Sequence, residues 1–269
     1  MMSFGFLFSE AGIRLLAFFG IFGAMAAFEL AYPRRRAHPL KSRRWVTNLA
    51  VLLVDVAVLR VIFPMAAVGA AIFAEAQGFG LFRTLGLDPI FAGVLAFILL
   101  DFTVWAEHVA FHKIPILWRV HRVHHADVDV DVTTALRFHP IEILISMCLK
   151  AAFVVIIGAP VLSVLLFEIV LNGAAMFNHS NVRLPDRVDR ALRVLIVTPD
   201  MHRIHHSVER RETDSNYGFN FSVWDRLFRV YTQDPEAGQV GMRLGLKPHQ
   251  DGAPARFLWS LLYPFRRGA

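Results

Sequence analysis

The 269-residue sequence contains a single cysteine, Cys148, inside an apolar run. One thiol excludes a disulfide framework and a thiolate metal site, and its surroundings make it a packing residue. Charge is scarce as well: Asp, Glu, Lys and Arg make up 19% of the residues against 55% hydrophobic. That balance is too apolar for an ordinary soluble domain and indicates a membrane protein. Several catalytic signatures are missing too. There is no HExxH of a zincin-type protease, no Glu-x-x-His of a soluble carboxylate di-iron protein and no Gly-x-Ser-x-Gly elbow. GxGxxG, a cysteine set for an iron–sulfur cluster and His-Pro-Gly-Gly are absent, so no flavin and no haem is expected in this chain. The net charge of +6 comes from basic residues beside apolar runs, which suits anionic lipid head groups and not nucleic acid.

Histidine is plentiful. Of twelve, five fall in the stretch HVAFHKIPILWRVHRVHH, from His108 to His125. Residues four apart lie on one face of a helix, so His108 and His112 point together, as do His121, His124 and His125 at i, i+3, i+4. The same triad returns at His202, His205 and His206. Eight imidazoles in three sets exceed the three or four ligands of one zinc site, so two metals are implied. Imidazole suits iron, zinc, copper and nickel, and ligand type alone leaves the metal open.

The apolar runs predict an all-α integral membrane bundle of about four to five spans or hairpins, a single domain over 1–269. The first run, Ala11 to Tyr32, is about 33 Å long as a helix, enough to span. It ends at Pro33 and the basic segment Arg34 to Arg44. The second, Val46 to Ala74, carries Asp55 and Arg60, charges that should face protein or a cavity. After a glycine-containing linker, Glu75 to Asp88, the third run, Pro89 to Phe111, delivers His108 and His112 to the membrane boundary. Pro140 to Ile157 and Val161 to Phe177 read as a hairpin broken at Gly158-Ala159-Pro160, returning His139 and His179 to one side. With Arg34 to Arg44 in the cytoplasm, every candidate ligand falls on the cytoplasmic side, as the positive-inside rule expects. Pro185 to Val197 reads as a surface helix, and Arg256 to Arg267 as a surface anchor.

Asp101, one heptad before His108, could orient a histidine or cap a buried polar pair. In NYGFNFSVWDRLF, Asn216 to Phe228, the polar residues could hydrogen-bond metal-bound histidines or hold a loop; Asn216, Tyr217 and Asp225 are the candidates. His38 and His249 match no motif and read as solvated.

HxxxH, HxxHH and HxxHH between apolar spans resemble the fatty acid hydroxylase and sterol desaturase superfamily. DVTTALRFHPIE (Asp131 to Glu142), FNHSN (Phe177 to Asn181), NYG and WDRLF are similar to bacterial members and, less closely, to alkylglycerol monooxygenases. The motifs cover about 101–231. This resemblance implies a histidine-ligated pair of iron ions that uses O₂ and two electrons to hydroxylate or desaturate a lipid C–H bond, in a bacterial inner membrane. It also implies a separate electron donor, of reductase, ferredoxin or cytochrome b5 type. Carried over residue by residue, the ligands are the eight motif histidines and His179, whose family partner four residues earlier is Ala175 here. His139 is either a tenth ligand or the N-cap of the helix starting at Pro140; we count it with the ligands. Two rival classes are a bis-histidine haem electron carrier, which leaves the triads unexplained, and a histidine-rich metal transporter, which predicts ligands near the bilayer midplane.

Overall fold

The apolar runs become five stretches long and apolar enough to cross a bilayer. In the computed structural model, which describes residues 9–266, these are α1 (Glu10–Ala31), α2 with α3 (Lys41–Ile62 and Ala66–Ala76), α4 (Pro89–Lys113), α6 (Pro140–Ile157) and α7 (Val161–His179). Shorter helices build the polar cap, among them α5 (Pro115–His125), α8 (Asp186–Leu192) and α9 (Pro199–His205). Extended pairing among the described residues is limited to three isolated bridges, so the fold is all-α. Large apolar side chains such as Leu30, Val61 and Ile90 are 78–83% exposed on the outer faces, as lipid contact requires. The chain is an integral membrane protein.

Local chemistry sets the helix ends. The Asp88 carboxylate accepts from the Ile90 and Phe91 amides ahead of Pro89, starting α4. Gly158, at φ +68°, ends α6, and Pro160 precedes α7. Gly158 packs on Gly80 so closely that a Cβ on Gly80 would sit 2.2 Å from the Gly158 Cα. The linker after α3 therefore meets the α6–α7 turn at the end of the bundle remote from the histidines. Small residues, Ala67, Ala71 and Ala96, let α3 and α4 approach Val154 and Phe167 of α6 and α7.

Five expectations differ from the structure. The run from Val46 to Ala74 is not one helix: Pro64 has no amide hydrogen and turns Phe63 out of helical conformation, so α2 stops at Ile62. Arg44, assigned to the lipid-facing basic segment, is fully buried and ion-paired with Asp127 and, at 2.7 Å, with Asp131. The surface helix ends at Leu192 instead of Val197, because the Val197 amide is drawn to the Asn220 carbonyl (3.1 Å) and Ile196 bridges to Phe221. The C-terminal anchor packs inward: Trp259 and Tyr263 join Val123 and Ala126 of the cap, while Arg267 lies outside the described residues. Cys148, expected to be a packing residue, is instead exposed.

Candidate metal centre

His108 and His112 leave the last turns of α4 and His179 ends α7. α5 supplies His121, His124 and His125; α9 supplies His202 and His205, with His206 at its C-cap. All nine are buried, and they converge in two groups. The first is His108, His112, His121, His125 and His205; the second is His124, His179, His202 and His206, with ligand atoms in each group all within 4.8 Å of one another. Each HxxHH helix therefore gives its i, i+4 pair to one group and its middle histidine to the other. Helical spacing makes this division, because the middle residue points about 80° away from the direction its two partners share.

The tautomers are set from outside. Nδ1 of His108 lies 2.7 Å from the Tyr217 carbonyl, that of His205 2.7 Å from Ser215, and that of His179 2.7 Å from Ala175. Nδ1 of His124 is 3.3 Å from the Arg137 carbonyl, and Nδ1 of His121 is 2.6 Å from Glu142 Oε1. A carbonyl can only accept, so the four nitrogens that face carbonyls donate their protons and leave Nε2 with a bare lone pair, and an ionised Glu142 carboxylate, which also can only accept, does the same for His121. Yet Nε2 of His108 is 3.1 Å from Nε2 of His205 and 3.1 Å from that of His121. In the second group Nε2 of His179 is 3.1 Å from that of His124. Two lone pairs at that distance repel; a cation between them turns the repulsion into coordination. The residues present fit a metal on this ground, and they offer only nitrogen.

Burial reinforces the neutral state. It pushes His121 down to about 3, and it holds His124, His125, His202, His205 and His206 well below the usual imidazole range, with neighbouring imidazoles adding to the effect. His121 and Glu142 thus form a hydrogen bond between a neutral ring and a carboxyl group instead of an ion pair. His112 has no hydrogen-bond partner at either ring nitrogen.

His139 does not join either group. Its Nδ1 accepts from the Ile141 amide (3.2 Å) and its Nε2 meets the Leu261 carbonyl (3.1 Å), so it caps α6, and the ligand reading is withdrawn. The NYG…WDRLF segment works through its backbone. Asp225 accepts from Trp105 and from the Tyr217 and Gly218 amides, which holds the Tyr217 carbonyl against His108. Asn216 bonds Met201 and Thr232 and holds the loop, touching no histidine. Asp101 takes the Trp224 indole at 2.7 Å and serves the same loop. Neither His38 nor His249 is simply solvated: His38 accepts from Leu40, and His249 packs on Trp259 and Tyr263.

Sequence reasoning missed the supports. Glu142 stood in the quoted FHPIE motif, but an acidic residue in a first helical turn has an ordinary explanation there. Arg137, fully buried, bonds Asn48, the Val123 and Pro254 carbonyls and Ser260, and so fixes the carbonyl on which His124 rests. Glu29 of α1 accepts from the Val132 (2.6 Å) and Asn181 (2.8 Å) amides, tying two cap loops to the bundle.

Residues 93–230, just over half of the chain, match the fatty acid hydroxylase family. The chain belongs to that family. It is 29% identical over 177 residues to the ornithine lipid hydroxylase OlsE of Rhizobium tropici, covering 66% of this chain and 51% of that protein. It is 26% identical over 152 residues to the alkylglycerol monooxygenase of Homo sapiens (55% of this chain, 32% of that one), and 28% over 153 residues to that of Xenopus tropicalis (55% and 32%). The matches thus span about half the length of the hydroxylase and a third of the monooxygenases. No solved structure matches.

Proposed function

We propose that the chain is a membrane-bound, non-haem di-iron oxygenase that hydroxylates a lipid C–H bond with O₂ and two electrons from a separate donor of reductase, ferredoxin or cytochrome b5 type. The carrying observation is the pair of imidazole groups whose Nε2 atoms face one another at 3.0–3.2 Å. A cation held among such nitrogens would find only imidazole donors, a set that suits iron as it suits other transition metals. In this reading His108, His112, His121, His125 and His205 hold one iron, and His124, His179, His202 and His206 the other. The family membership and the hydroxylase and monooxygenase relatives favour hydroxylation over desaturation.

When bound, the iron pair supplies O₂ reduction and C–H oxidation: lipid, O₂, two electrons and two protons give hydroxylated lipid and water. The chain's own residues do the positioning. Glu142 and four backbone carbonyls aim the rings. A cavity of 380 Å³ between α2, α4, α6 and α7 has His108 and His121 in its wall, so a substrate can lie along the helices with one carbon beside the metal site. Phe111, Phe138 and Phe219 line the same end and limit access of water.

The placement of the ligands at one end of the spans, and not at mid-bundle, supports an enzyme over a transporter; groups of five and four nitrogens, not two opposed ones, argue against a haem. We place the histidine end on the cytoplasmic side of a bacterial inner membrane. Arg34, Arg35, Arg36, Lys41 and Arg43 flank that end, whereas the remote linker carries Arg83 alone.

The test compares lipid extracts of a host making the wild-type chain or His205→Ala, grown under isotopically labelled O₂. The reading requires a lipid carrying one labelled oxygen in the wild type only, and about two irons per purified chain. A product formed without O₂, or wild-type protein that binds no iron under reducing conditions, overturns it.

A further inference from the structure

The cavity that reaches His108 and His121 is not a plain hydrocarbon tunnel. Beside Phe18, Leu52 and Leu171 its wall carries three carboxyl side chains, Asp55, Glu107 and Glu142, against one cation, Lys150. A second cavity of 580 Å³ shares Val56, Leu59, Ile143, Ser146, Lys150 and Asn172 with it, so the space continues away from the histidines.

Three of the charged groups are accounted for, the first being Glu107, which hydrogen-bonds Ser146 and faces the Lys150 charge. Glu142 supports His121 at 2.6 Å, and Lys150 is engaged by Glu168 at 3.3 Å, which also takes Arg14 at 2.7 Å. Asp55 is not. It is 4% exposed, it sits within a membrane-spanning helix, and its Oδ1 has no hydrogen-bond partner. Arg60, the basic residue nearest to it on α2, turns instead to the Pro64 carbonyl at 3.5 Å. The second oxygen of Glu142 is also shielded and unpartnered. An ionisable side chain inside the bilayer is costly unless something pairs with it. A hydrocarbon in the cavity leaves Asp55 uncompensated, and an anionic group would meet three carboxyls. A cationic group resolves both.

We propose that this cavity binds the ammonium of an amine-bearing lipid head group, with Asp55 as its counter-charge, and that the carbons next to the amine lie toward His108 and His121. This deepens the hydroxylase reading by naming the substrate class, and it rests on that reading for the reaction but not for binding.

The test is native mass spectrometry of the iron-loaded, full-length protein in detergent with dodecylamine or dodecanol, probes of equal chain length. The wild type should hold dodecylamine about tenfold to a hundredfold more tightly than dodecanol. Asp55→Asn should lose that preference and Asp55→Glu should keep it, all three with equal iron content. Equal binding of the two probes to the wild type overturns the proposal, and this comparison stands even if a variant fails to insert. A preference that survives Asp55→Asn overturns it as well, as does displacement of dodecylamine by millimolar sodium or potassium, which would mark an inorganic cation site. Failure of the oxygenase reading looks different: no oxygenated lipid forms, while the amine preference persists.

Discussion

Glu142 accepts the Nδ1 proton of His121 at 2.6 Å across 21 residues of sequence. A carboxylate behind a ligand imidazole fixes its tautomer and raises its basicity, and losing such a partner typically costs about 10–100-fold in metal affinity. Glu142→Gln keeps the shape and loses the charge. Its iron occupancy should fall under chelator competition while helical content stays constant. Unchanged iron retention would remove Glu142 from the site.

The division of labour among the histidines predicts a contrast. His124→Ala and His205→Ala should each lower iron stoichiometry, since they belong to different groups. His139→Ala should retain iron and lose only a helix cap, about 1 kcal/mol, read as a small drop in melting temperature. Loss of iron in His139→Ala with an unshifted melting temperature would contradict the capping assignment.

Arg44 pairs with Asp127 and Asp131 in a fully buried setting. Removing one partner of a buried pair strands the other charges, at a cost of about 3–5 kcal/mol. Arg44→Ala should therefore lower the melting temperature steeply. Its exposed neighbour Arg43 is the control: Arg43→Ala should stay within about 0.5 kcal/mol of wild type.

Acid should act on the cap with a defined sign. Unfolded imidazoles titrate near 6.5, whereas burial holds His121 at about 3 and the other cap histidines well below 6.5. Below 6.5 the unfolded chain takes up protons that the folded chain refuses, so stability falls as pH drops from 6.5 toward 3 and is level above that window. Iron should leave over the same range, because protons compete for the lone pairs. Melting temperature and iron content measured together from about pH 8 to pH 4 check both, and a profile flat below pH 6 would refute the burial argument.

The histidine positions and most of the apolar helices were legible because their information is local: i, i+4 spacing, proline at a helix start, glycine at its end. The grouping of the imidazoles was not, since His124 and His205 cross between sets for reasons of helical angle that a motif does not display. Arg44 looked like a lipid-facing charge because Asp127 lies 83 residues away. His139 looked like a ligand because a capping histidine and a coordinating one share the same short motif. Asp55 was legible as a buried charge, but only the fold shows that Arg60 turns away from it.

The opposed ring nitrogens of the imidazole groups also bear on the life of the protein in a cell. With no cation between them they push the four elements that carry them apart, so the emptied chain is the less stable one and binding energy is spent on holding the cap shut. Iron supply should then govern how much protein persists as well as how much is active. Cells starved of iron should show faster turnover of the polypeptide, and not a standing stock of idle enzyme.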